Sequence, residues 1–312
     1  MKKIVSVSLG SSKRDHRVKT ELLGIEFEIS RRGTDGDFNK ALSLLKELDG
    51  NVDAIGLGGI DLYLYAGKTR YVVSDGLKLL EAVKKTPVVD GSGLKNTLER
   101  ETVFYLRDNT GLLPPGCKVL MVSAVDRFGM AEALSELGCE MTFGDLIFAA
   151  GIPYPIKSVE ELEEIARKTL PEMTKLPFHM LYPTGEKQDT QDEKKVEKYG
   201  HYYHEADVIA GDYHLVRRYM PGNLKGQVVV TNTTTKGDVQ FLGEKGAGWL
   251  VTTTPELEGR SFGTNVMEAA LVVLLGKSWE EITPGDYLDL MKRLEMKPRI
   301  QKLDVSRKTS DV

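Results

Sequence analysis

The sequence predicts an α/β fold: a smaller N-terminal α/β domain, then a larger one built on a doubly wound parallel sheet. Two observations lead there. Short apolar strands alternate with amphipathic helices through Leu275, a rhythm that argues for parallel strands joined by helical crossovers. The segment Gly116–Gly138 also passes from an apolar strand through a short turn directly into an amphipathic helix. That local arrangement is where α/β domains commonly bind ligands.

The elements follow in order. Lys3 to Leu9 and Ile25 to Ser30 are read as strands, and Phe38 to Leu48 as a helix with apolar residues three and four apart. Asp53 to Leu57 is a strand ending in Gly58-Gly59. Arg70 to Val73 is a short strand, followed by a helix through Leu77, Leu80 and Val83. Pro87-Val88-Val89 is a brief strand closed by Asp90-Gly91-Ser92-Gly93, and Leu94 to Leu106 is a connecting helix. The loop Asp108 to Gly116, rich in Asn, Gly and Pro, makes the best domain boundary. Beyond it strands are expected at 118–123, 139–143, 178–182, 207–210, 227–231 and 249–253. Helices are expected at 129–137, 158–169, 191–204, 264–275 and from Pro284 to Leu294, with a polar tail from Lys302 to Val312 that should fray. The expected division is an N-terminal substrate domain with bridging helix (1–112), a Rossmann-like nucleotide-binding domain (113–276), and a helical segment and tail packing across both (277–312).

Composition removes several function classes. A chain of 312 residues is long enough for two domains with sizeable cores. Its net charge of −4 gives no global basic field for nucleic acid, and no Lys/Arg cluster is interleaved with aromatics as single-strand binding requires. Met1 to Gly10 turns polar too soon for a signal peptide. The most apolar later stretch, Val266 to Leu275, falls short of the roughly 20 residues that span a membrane, so a cytoplasmic protein is the default. The two cysteines, Cys117 and Cys139, provide neither a disulfide framework nor a metal spacing. His201 and His204 lie three apart on a helix without further ligands nearby, and no metal is expected. Neither Gly-x-Ser-x-Gly nor Gly-x-x-x-x-Gly-Lys-Ser/Thr is present, which argues against common hydrolase and NTPase mechanisms.

The turn Ser123-Ala124-Val125-Asp126-Arg127-Phe128-Gly129 is the centre of the functional reading. With Gly129 as the third glycine of a dinucleotide fingerprint, the first two positions are Ala124 and Asp126. Free N–H groups at the following helix start suit an anion. Asp126 either caps that helix or repels a phosphate, and Arg127 either offsets Asp126 or contacts phosphate itself. Asp145 stands about twenty residues beyond Ser123, past the second strand, where an acid receives the ribose hydroxyls of a dinucleotide. No Lys or Arg follows it to hold a 2′-phosphate, which favours NAD and leaves NADP open. Two later strands end in Thr231-Asn232-Thr233-Thr234-Thr235 and Thr252-Thr253-Thr254. Thr231, Asn232 and Thr253 are therefore cofactor-binding candidates, although Thr is also simply a good strand residue.

Hydride transfer to or from an alcohol needs a general acid/base within hydrogen-bond reach of the oxygen. Lys95, in the first turn of the connecting helix, paired with Asp90, is one candidate; Lys68, between Gly67 and Thr69, is another. His16, in the polar loop Ser11 to Arg17, is a candidate for anion binding.

The N-terminal α/β domain, the bridging helix and the Gly116-Cys117-Lys118-Val119-Leu120 strand leading into the loop resemble the shikimate/quinate dehydrogenase group, in particular a divergent quinate 5-dehydrogenase-like branch. The resemblance implies an NAD(P)-dependent oxidoreductase acting on a small, polar, carboxylated alcohol or ketone, with a Lys–Asp pair in the interdomain cleft. Carried onto this sequence, the pair falls on Lys95 or Lys68 with Asp90. The family's Asn-Val-Thr-x-Pro-x-Lys segment is absent from residues 1–110. Two other readings stay open: a reductase for acyl or aldehyde substrates, and a non-catalytic nucleotide- or metabolite-binding protein. The expected partner is a small anionic substrate, with a homodimer left open.

Overall fold

In the computed structural model, residues 1–182, 190–257 and 260–304 are described. The fold is α/β throughout. Contacts divide the chain into two units that are not continuous segments: residues 1–98, 165–188 and 262–296 form one, and 99–164, 189–261 and 297–312 the other. The helix Ser92–Asn109 supplies residues to both units, its first turns to one and the rest to the other.

The first unit is built on a five-stranded sheet ordered His16–Leu22, Ile25–Gly33, Lys2–Ser8, Ala54–Gly58, Val88–Val89. All neighbours are parallel except the first pair. That pair is a hairpin across Leu23-Gly24, both at positive φ (52° and 79°), the conformation a tight hairpin turn demands. His16 therefore opens an edge strand and does not sit in a loop; the alternating exposure of residues 16–22 is the period-2 signature that the polar composition concealed. Helix Phe38–Leu48 forms where predicted, capped by Asp37, which accepts from the Lys40 amide at 2.9 Å, and it buries Ala41, Leu45 and Leu48. Helix Thr264–Leu275 buries nearly every side chain from Thr264 to Val272 and lies on strand Ala54–Gly58. A side chain at Gly56 would come within 2.8 Å of the Asn265 carbonyl, so glycine sets the closeness of this packing.

The second unit carries a six-stranded sheet ordered Glu140–Phe143, Lys118–Met121, Val208–Ala210, Val228–Thr231, Trp249–Thr252, Arg299–Lys302. The first five are parallel and the last is antiparallel. Six strands were expected, with residues 178–182 among them. That segment instead forms the short helix Phe178–Leu181 after Pro177, with Phe178 buried and its amide held by Asp75 at 2.9 Å. The sixth strand is Arg299–Lys302, beyond the last helix read from the pattern. The helix expected at 191–204 divides at Gly200 into Glu193–Tyr199 and His201–Glu205. Helices Tyr213–Tyr219 and Lys236–Glu244 fill two further crossovers, which the apolar pattern does not mark. Phe148 organises much of this unit's core, stacking on Tyr219 at 5.0 Å and meeting Tyr203 edge-on at 5.8 Å. Residues 305–312 of the polar tail lie outside the described residues. No helix among the described residues is long and apolar enough to cross a membrane.

Candidate functional site

Strand order in the second unit reverses between Lys118–Met121 and Val208–Ala210: the chain moves outward to 140–143, then returns to the other side of the first strand. Ligands of open α/β sheets bind beyond the strand C-termini at such a reversal. The turn at residues 122–127 and the Gly211-Asp212 turn both lie there.

At this point the cofactor candidates gather. The Ala124 amide donates to both Asp145 oxygens (2.9 and 3.2 Å), and the Val125 amide donates to Asp145 Oδ1 at 3.2 Å. Asp145, first residue of a π-helical turn to Ala150, thus reaches back from the end of the neighbouring strand to the loop. Burial pushes its carboxyl up to about 6; the two amides oppose that shift and Asp126 adds to it.

Asp126 Oδ1 accepts from Ser123 Oγ at 2.8 Å, and helix Phe128–Glu136 starts from Arg127, whose own side chain does not cap it. Arg127 itself is turned inward and almost wholly buried. It is paired with Glu99, which is fully buried, with Asp212 at 3.2 Å and with Asp126 at 3.5 Å. One guanidinium thus holds three carboxylates. Phe128 and Gly129 are buried in the first turn of the helix.

The later strand ends join the same network. Asn232 Nδ2 donates to Asp212 Oδ2 at 2.8 Å, Thr231 Oγ1 donates to the Gly211 carbonyl at 2.8 Å, and Thr254 Oγ1 donates to the Asn232 carbonyl at 3.0 Å. Thr253 is fully buried, its amide bonded to the Thr231 carbonyl at 2.9 Å. The second unit therefore assembles Ser123 to Arg127, Asp145, Thr231 and Asn232 around one end of the sheet. Sequence reasoning missed Glu99 and Asp212. Asp212 carries a signal like that of the other strand ends, a polar residue just past an apolar strand, here after Gly211. Glu99 was visible only as an acid inside an apolar helical pattern.

The catalytic candidates belong to the first unit, and they pair differently from expectation. Lys95 Nζ meets Asp61 Oδ1 at 3.1 Å, with both side chains mostly buried. Asp90 does not hydrogen-bond Lys95. Its carboxylate accepts from the amides of Leu62 (2.6 Å), Tyr63 (3.2 Å) and Ser92 (3.0 Å), which fix its loop. Burial raises the Asp90 carboxyl, nearby Asp61 raises it further, and Ser92 and Lys95 pull it down. Glu268, fully buried, accepts from the Gly91 amide (2.7 Å), Tyr287 Oη (2.8 Å) and Trp279 Nε1 (3.1 Å), and burial, with Asp90, pushes it up to about 7. Lys68 is exposed at the turn between strands Tyr63–Ala66 and Thr69–Val72, away from this cluster's hydrogen bonds. A cavity of about 360 Å³ borders Asp90, Tyr63, Thr86 and Trp279, with Tyr63 and Trp279 stacked at 5.3 Å. Among the described residues no group of three or more His, Cys, Asp or Glu is placed to hold a metal ion.

The chain belongs to the family described as "Domain of unknown function (DUF8754)", which matches residues 93–303. Residues 3–90 match a second family, "Domain of unknown function (DUF8753)". No curated protein matches the chain. Among solved structures it is similar to a Leu-bound hetero-hexameric glutamate dehydrogenase from Thermus thermophilus, at 14% identity over 94% of this chain and 73% of that one, with a TM-score of 0.41. It is also similar to a periplasmic ribose ABC transporter protein from Conexibacter woesei (12% identity, 93% and 95% covered, TM-score 0.38). A 5,10-methylenetetrahydrofolate dehydrogenase from the silkworm Bombyx mori is a further likeness (14% identity, 94% and 88% covered, TM-score 0.31).

Proposed function

We propose that this member of the DUF8754 family binds an adenine dinucleotide, NAD before NADP, in its second unit. We further propose that it acts as an oxidoreductase on a small carboxylated alcohol or ketone of the quinate or shikimate kind. The observation that carries the reading is the Asp145 carboxylate at the Ala124 and Val125 amides, beyond the strand ends at the order reversal. An acid at the end of the second strand suits the ribose hydroxyls, and amides at the end of the first suit the adjoining phosphates. For phosphate to reach them, Asp145 must turn from the amides to the ribose. Asp126 is the poorest fit to the group, since a carboxylate there repels a diphosphate; Arg127 offsets its charge at 3.5 Å.

NAD, when bound, accepts or returns the hydride. The chain's own residues must hold the substrate and move the proton. Lys95, oriented by Asp61, is the proton-transfer candidate in the first unit, and Asp90 holds the turn from which its helix starts.

A second reading, a non-catalytic ligand-binding protein, is favoured by a specific observation. The loop amides are already satisfied by a protein carboxylate, and Arg127 is enclosed by three acids. Calorimetric titration with NAD, NADP and AMP, followed by turnover with quinate and shikimate, separates the two. Saturable NAD binding with substrate-dependent reduction supports the oxidoreductase. Ligand binding without turnover supports the second reading, and no nucleotide binding at millimolar concentration rejects the dinucleotide site.

A further inference from the structure

Cys117 and Cys139 immediately precede the two parallel neighbours Lys118–Met121 and Glu140–Phe143. Lys118 registers with Glu140, so the cysteines sit side by side one step outside the paired strands. The Glu140 amide donates to the Cys117 carbonyl at 2.9 Å, which holds the two backbones together there. Neighbouring strands lie about 4.8 Å apart, inside the ~4.4–6.8 Å between α-carbons that a disulfide accepts. The side chains already converge: Sγ to Sγ is 3.3 Å, with both thiols free. Little more than a rotation about the Cα–Cβ bonds separates this contact from a bond.

We propose that Cys117 and Cys139 form an oxidation site, joining as an intramolecular disulfide that ties together the starts of strands Lys118–Met121 and Glu140–Phe143. The oxidant is a small-molecule disulfide. Cys139, half-buried where Cys117 is only 3% exposed, gives its proton to solvent, and its thiolate attacks one reagent sulfur, expelling the other as a thiolate. Cys117 then loses its proton, attacks the Cys139 sulfur of the mixed disulfide and expels the second reagent thiolate. Two protein thiols are oxidised by two electrons, and the reagent is reduced to two thiols, which take up the two protons. Burial pushes both cysteines up, Cys139 to about 12, so few thiolates exist at neutral pH and the reaction is slow. The pair therefore stays reduced until oxidising conditions persist. The bond closes a loop containing the turn 122–127 and its helix, but at the strand starts, the opposite end of the sheet from that turn.

The test is prolonged incubation of the full-length folded protein with oxidised glutathione, followed by intact mass, thiol counting and peptide mapping. The expected product has lost two hydrogens, has no titratable thiol, and yields one peptide pair linked through Cys117 and Cys139. Its unfolding midpoint rises by a few degrees and returns on reduction. Cys117→Ala and Cys139→Ala should each lose the rise. Should either variant fold poorly, the wild-type peptide map decides alone. Two persistent free thiols, two stable glutathione adducts, or a covalent dimer in the wild-type protein would overturn the proposal.

Discussion

Asp145 and Ala124 are joined by two hydrogen bonds, from the one amide to both carboxylate oxygens at 2.9 and 3.2 Å. This contact locks the end of one parallel strand to the turn following its neighbour, and it places an acid where the candidate ligand loop presents its N–H groups. Asp145→Ala should therefore weaken NAD binding by about tenfold or more, through loss of the ribose acceptor. Asp145→Asn should retain part of the affinity, because its amide oxygen still accepts. Equal or tighter NAD binding by Asp145→Ala would make the acid a plug and not a ribose ligand.

Arg127 and Glu99 form the most enclosed ion pair at the site. Arg127→Met takes the buried guanidinium away from Glu99, Asp212 and Asp126, and should destabilise the fold by about 3–5 kcal/mol. Glu99→Gln should cost less, because Arg127 keeps Asp212 and Asp126. Urea unfolding of both variants checks the order; equal losses would contradict it.

Glu268 links stability to pH. Its folded value of about 7 lies above its ordinary 4.5. Its contribution is therefore fully present below the ordinary value and is lost as pH rises through about 7. The full swing is on the order of 3 kcal/mol. Glu268→Gln cannot titrate, and its amide group would face the Gly91 N–H, so it should be less stable overall. Its stability should nevertheless change less than wild type between about pH 5 and about pH 8. Parallel pH profiles would show that Glu268 stays ionised across this range, held by its three donors.

Lys95 and Asp61 give a kinetic prediction. If the chain turns over a carboxylated alcohol with NAD, Lys95→Met should lower kcat by about 10²–10⁴-fold with NAD affinity unchanged. Asp61→Asn should lower it less, since the lysine remains without its orienting acid. Lys68→Met, at an exposed turn, should leave turnover intact; a loss there would return the acid/base role to Lys68.

Much of the fold was legible because its signals are local. Phe38–Leu48 and Thr264–Leu275 were bounded correctly by apolar spacing and end residues, and the strands around residues 118, 140, 208, 228 and 249 by short apolar runs. What escaped was set by pairing over distance. His16–Leu22 alternates exposed and half-buried residues at a sheet edge and carries no strong apolar signal. Arg299–Lys302 is strand only because Trp249–Thr252 offers it an edge. At the site, residue types and strand ends gave Asp145, Arg127, Asn232 and Lys95. Their partners Glu99, Asp212 and Asp61 come from folding, and an acid close to a lysine in sequence, here Asp90, need not be the one that pairs with it in space.

The most direct test of the dinucleotide site is amide-resolved NMR of the ¹⁵N-labelled protein titrated with NAD. The Ala124 and Val125 amides should shift saturably, in step with binding measured by calorimetry, and Asp145→Ala should reduce the affinity read from those shifts. Unmoved Ala124 and Val125 amides while NAD saturates elsewhere, or no binding at millimolar NAD, would contradict it.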